Sequence, residues 1–109
     1  MSEHAPLGSF EEQVLLAVLR AGEAYGMSVR REIESATGRG VAIGAVYATL
    51  DRMEAKGLVE SARPALGERS RRVFAVTPEG ARALGATRAM RERLWQGIDL
   101  RRVLPEGGG

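Results

Sequence analysis

Along residues 43–59, Ala45, Tyr47, Ala48, Thr49 and Arg52 interleave with Val46, Leu50 and Met53. The apolar set recurs at helical spacing, so one stripe of a helix faces a core. The other face is small, hydroxylated or cationic. The chemistry this suits is noncovalent. Small side chains let a helix approach a duplex closely, and hydroxyl and guanidinium groups reach base edges and phosphates in a major groove. Gly44 and Ala45, at the helix start, offer backbone N–H groups to a phosphate, or simply make a tight turn. Tyr47 suits either a phosphate contact or a half-buried place against the preceding helix. Arg52, beside Asp51 and Glu54, suits a base, a phosphate or solvent.

A second basic group follows. Arg69, Arg71 and Arg72 fall within four residues, with Glu68 the only acid nearby. Charge runs are usually solvated faces, but arginines on a turn between two short strands commonly enter a minor groove or hold its phosphates. Catalytic chemistry has nothing to work with. There is no cysteine, and the single histidine, His4, lies in the polar lead. No phosphate-binding glycine loop or acid pair with a nucleophile occurs, so an enzyme, a metal site and a cofactor are all excluded from the expectation.

The elements that must position these residues can be read along the chain. With 109 residues and 44% hydrophobic content, the chain can fill one core. The net charge is only +2, so the clustering of charge, not its total, points toward nucleic acid. No apolar run approaches the roughly 20 residues of a membrane span and no signal-peptide pattern opens the chain, so no membrane partner and a cytoplasmic location are expected. Residues 1–8 read as a mobile lead. Ser9 reads as an N-cap with Glu12 completing a capping box, opening a first helix over 10–21. A second helix is expected over 26–37, then a brief extended piece at 41–43, then the helix described above, stopped by Gly57. Strands are expected at 59–65 and 72–76, joined by a turn over 66–71, with Pro64 marking an edge or bulge. Thr77-Pro78-Glu79 starts a last helix. The order describes a winged helix-turn-helix, mainly α with a two-stranded wing. Residues 9–76 form the domain, 77–100 a dimerisation helix and 101–109 a flexible tail.

Ala24-Tyr25-Gly26, the run from Gly44 to Val59, and Phe74-Ala75-Val76-Thr77-Pro78-Glu79-Gly80 together resemble the PadR-like transcriptional regulators. The resemblance spans residues 7–94, and the middle motif with the upstream Tyr-Gly is its specific part. It implies a dimeric regulator of double-stranded DNA, usually a repressor, whose C-terminal helix makes most of the dimer contact and whose effectors are often small aromatic compounds. The short C-terminal region resembles the subgroup with a single helix after the wing. The chain departs from many relatives in having Ala48 where a proline often follows the helix tyrosine, and in its low aromatic content.

Two apolar surfaces are expected to pair subunits. One is the seam of Ala83, Thr87, Met90, Leu94 and Ile98 on the last helix; the other is the excess apolar face of the first helix through Leu15, Leu16 and Leu19. A two-fold homodimer would cover both and set two reading helices about one DNA turn apart, ~34–36 Å, on a palindromic site. Trp95, beside the seam, is either a packing residue or a surface on which an aromatic effector stacks. The alternative function is a winged-helix protein-interaction module with the same core and no DNA, against which the wing arginines weigh.

Overall fold

The computed structural model describes residues 6–64 and 71–105. Three helices come first: α1 (Ser9–Arg20), α2 (Gly26–Thr37) and α3 (Ile43–Ala55). Strands β1 (Val59–Ala62) and β2 (Val73–Val76) follow, then α4 (Pro78–Trp95) and one 3-10 turn, Leu100–Arg102. β1 and β2 pair antiparallel with Val59 opposite Val76 and Ala62 opposite Val73. This is a winged helix-turn-helix followed by a single long helix. Residues 65–70, where the turn was expected, lie outside the described residues, and Arg69 with them.

The helix ends follow from local chemistry. Gly38 ends α2 and Gly57 ends α3, each with positive φ (73° and 79°), where a side chain would be strained. At the second stop the Leu58 N–H donates to the Met53 carbonyl and the Gly57 N–H to the Glu54 carbonyl, both at 2.9 Å, the paired bonds of a Schellman turn. Thr77 caps α4: its Oγ1 accepts from the Gly80 N–H at 3.0 Å and its hydroxyl donates to the Gly57 carbonyl at 2.6 Å. One threonine thus ties the end of α3 to the start of α4.

Several expectations are corrected. α1 is capped one residue earlier than the pattern implied. Gly8 is its N-cap and its N–H donates to Glu11, not Glu12, at 2.9 Å. Leu7 is not a loose lead; it packs on the core and its N–H donates to Thr87 Oγ1 at 3.1 Å. The brief extended piece expected at 41–43 is extended at Ala42 (φ −70°, ψ 134°) but stops there, since Ile43 already belongs to α3. β1 stops at Ala62, and Arg72 precedes β2. The last helix ends at Trp95, because Gly97 turns the chain with φ 79°, so Ile98 is not on it.

The core also differs in membership. Leu15 is fully buried with Val14 and Val18 among Val29, Leu50 and Phe74, so it serves this chain's interior and not a dimer face. Ala83 and Thr87 are 2% and 3% exposed and belong to the same interior. The first three helices and two strands do not close the core alone; the first half of α4 completes it. Leu16 and Leu19 remain exposed, and from Arg91 onward every described residue of α4 and the tail is exposed. The radius of gyration is 16.8 Å. A compact chain of about 100 residues has roughly 13 Å. The far half of α4 projects from the domain.

Glu11 holds α1 to α3. Its carboxylate accepts from Gly8 N and lies 3.5 Å from both Arg52 Nε and Lys56 Nζ. The Gly8 N–H first, then Lys56 and Arg52, hold this carboxyl below its ordinary value against the opposing effect of burial. A lowered folded-state value stabilises the fold above the ordinary glutamate range, and that contribution is lost as pH falls through it. Glu11→Gln is therefore expected to melt lower than wild type at neutral pH and to converge with it in acid. Parallel melting curves across pH would remove Glu11 from this role.

Candidate nucleic-acid interface

The α3 helix presents two distinct faces. Val46, Leu50 and Met53 are fully buried, while Gly44, Ala45 and Ala48 are exposed. Thr49, expected on the outer face, is only 4% exposed and its Oγ1 accepts from Arg52 at 3.4 Å. The reason is angular. At about 100° per residue, position 49 lies roughly 40° from position 53 and inside the apolar stripe. The outer surface is therefore narrower than the polar residue types implied.

Tyr47 combines its two expected roles. It is 38% exposed, and its ring lies against Gly26 at the start of α2. A Cβ on Gly26 would stand inside that ring, which explains why a glycine follows Tyr25 at this helix start. The phenol thus sits at the seam of α2 and α3 with one edge open to solvent.

The arginines divide sharply. Arg72 was expected to face a duplex, but it braces the fold. Its Nη1 lies 2.9 Å from Asp51 and its Nη2 2.7 Å from Glu54, both on α3, and the guanidinium lies 4.8 Å over the Phe74 ring. Ser61 of β1 donates to the same Glu54 at 2.7 Å. These bonds fix the base of the wing to α3. Arg52 is half committed through its pair with Glu11.

Arg71 is different. It stacks on the Tyr25 ring, 4.0 Å from the centroid, and Arg31 Nη2 donates to the Tyr25 hydroxyl at 3.0 Å. Arg31 and then Arg71 hold this phenol below its usual range. The sequence marks Tyr25 only as part of the Tyr-Gly motif and gives neither Tyr25 nor Arg31 a role at the duplex. Tyr25 is the extended N-cap of α2 and Arg31 lies six residues on, a spacing that by itself puts them on no common face, so the fold brings all three together. The Phe74 N–H donates to the Ala24 carbonyl at 2.7 Å, and this bond holds Tyr25 beside the wing base.

Away from this surface, Met90 is half-buried on α4, whereas Leu94, Trp95 and Ile98 are 70%, 57% and 57% exposed. With Leu100 the last three line a shallow cleft of about 200 Å³. Among the described residues no group of three or more His, Cys, Asp or Glu could hold a metal ion, and no helix is long and apolar enough to cross a membrane.

Comparison with known proteins agrees with this architecture. Residues 15–86 match the Transcriptional regulator PadR-like family, which is more than half the chain. Transcriptional regulator Rv3488 of Mycobacterium tuberculosis is 39% identical over 72 residues, covering 66% of each chain. Among solved structures, RosR of H. salinarum superposes with a TM-score of 0.68 at 29% identity, covering 89% of this chain and 84% of that one. A PadR-like transcriptional regulator from Bacillus cereus shares the fold, with a TM-score of 0.59 at 23% identity, covering 82% and 93%. The chain belongs to the PadR-like family of transcriptional regulators.

Proposed function

We propose that this protein is a cytoplasmic repressor that binds a palindromic operator as a homodimer and is released by a small aromatic compound. The observation that carries the DNA reading is the two-faced α3: a fully buried stripe behind exposed Gly44, Ala45 and Ala48, with Tyr47 at their edge. Small residues let that face enter a major groove while the buried stripe holds the helix rigid. Arg71 and the Gly44 N–H supply phosphate contacts, whereas the Ala45 N–H, expected to do the same, already donates to the Ala42 carbonyl at 3.0 Å; Arg69, outside the described residues, would add a further contact. Arg52 joins them when it exchanges Glu11 for the duplex.

Dimerisation is supported by what the monomer leaves uncovered. Leu94, Trp95, Ile98 and Leu100 project from the domain on one side, and Leu16 and Leu19 lie exposed on α1. A two-fold partner would bury such self-complementary surfaces. The apolar cleft beside Trp95 is the place an aromatic effector would stack, changing the spacing of the two α3 helices.

Two measurements test the reading. A duplex enriched from a random-sequence pool by the protein should be palindromic, with half-sites about 10–10.5 base pairs apart or a multiple of it. A pool that never enriches would end the operator claim. Sedimentation at micromolar concentration should give a dimer, converted to a monomer by Leu94→Glu with Leu19→Glu. A monomeric wild type would end the dimer claim.

The two neighbouring arginines should part company. Arg71→Ala is expected to reduce the salt slope of duplex binding by roughly 0.9, one phosphate contact, with little change in melting. Arg72→Ala removes the guanidinium that joins Asp51 and Glu54, both partly exposed, and should cost up to about 1 kcal/mol of stability. Identical behaviour of the two variants would contradict the division drawn between them.

A further inference from the structure

Two guanidinium groups stand apart because they converge on one aromatic ring, Tyr25, and not on a carboxylate. Many arginines, among them Arg20, Arg30, Arg52 and Arg72, meet a carboxylate within the fold. Arg31 and Arg71 meet none among the described residues, and they converge on one phenol instead. Two uncompensated cations are thus held together by a neutral group, from different parts of the chain. Their place is fixed by backbone: Tyr25 immediately precedes Gly26, on which Tyr47 lies, and the β2 bond to Ala24 holds the other side. The cluster therefore borders the outer face of α3.

We propose that Tyr25, Arg31 and Arg71 form a clamp for one backbone phosphate of duplex DNA, beside the groove that α3 enters. This rests on the DNA-binding reading above and extends it to two residues on the α2 side. Guanidinium forks match phosphate oxygens in geometry and charge. The Tyr25 oxygen accepts from Arg31 and keeps its own O–H to donate to a phosphate oxygen. Stacking on the Tyr25 ring sets the direction of Arg71, so the free ends of both forks are ordered before the duplex arrives. The clamp carries no base information. It sets how far α3 sinks into the groove and in what register.

The test is a salt titration of binding to a fluorescently labelled mixed-sequence duplex, with the full chain. Arg31→Gln should reduce the salt slope by roughly 0.9, and Arg31→Lys should restore it, because the slope counts charges at phosphates. Tyr25→Phe should weaken binding several-fold at an unchanged slope, since it removes a donor and no charge. Arg88→Gln on α4, exposed and paired with Glu92, removes one charge elsewhere and should leave the slope as it is. Melting curves confirm that each variant is folded. A wild-type slope in folded Arg31→Gln overturns the clamp while leaving the DNA-binding reading standing. The same loss of slope in Arg88→Gln also overturns it, because net charge alone would then account for the effect. A wild type that binds no duplex at any salt overturns both.

Discussion

Leu50→Ala is expected to destabilise the domain by about 2–5 kcal/mol, as large-to-small changes in a packed core do. Leu50 is fully buried in the stripe that Val46 and Met53 continue, so the cavity would open at the meeting point of α3 with the rest of the core. Tyr47→Ala, three residues away on the same helix, should do the reverse. Its ring is 38% exposed and rests on a glycine, so its removal should cost little stability and much of the affinity for DNA. Thermal melting and duplex titration of both variants separate the two faces. Equal melting losses would mean that α3 does not have the two faces described.

Two glycines make a sharper contrast, because a methyl group at each meets a different kind of neighbour. On Gly80 it would run into the backbone carbonyl of Leu58, which cannot swing away. Gly80→Ala must push α4 off the Leu58 backbone and off Val76 of β2, and overpacking of this kind costs about 1–3 kcal/mol or more. On Gly26 the methyl would meet the far end of the Tyr47 ring, which can rotate toward solvent. Gly26→Ala is therefore expected to keep its melting temperature within a few degrees of wild type and to lose DNA affinity nearly as far as Tyr47→Ala. Denaturant melts and duplex titrations of the pair check this. A large stability loss in Gly26→Ala with unchanged affinity would show that the glycine serves packing alone.

Local chemistry made much of the fold legible in the sequence. The stops at Gly38 and Gly57 could be read because positive φ favours glycine, and the start at Thr77 because hydroxyl caps precede helices. What could not be read was settled by long-range contacts. Arg72 sits in an arginine run that reads as a wing clamp, yet its partners Asp51 and Glu54 lie on α3, beyond any local pattern. Thr49 has the hydroxyl of an outward residue, but its angle on the helix puts it in the buried stripe. Leu15, Ala83 and Thr87 read as surplus apolar surface only if the core closes without α4, and it does not. The Tyr25 cluster has no local pattern, because one of its arginines comes from the wing base, which only the sheet brings to α2.

The central claim is that the outer face of α3 enters duplex DNA, and amide chemical-shift mapping tests it most directly. Titrating the isotope-labelled protein with an enriched duplex should shift the amides of Gly44, Ala45, Tyr47 and Ala48 most, with Tyr25 and Arg71 next. The Leu94-to-Leu104 segment should stay largely unmoved. Shifts confined to that exposed apolar segment, with the α3 face silent, would contradict the account and favour an interaction module that engages partners through α4.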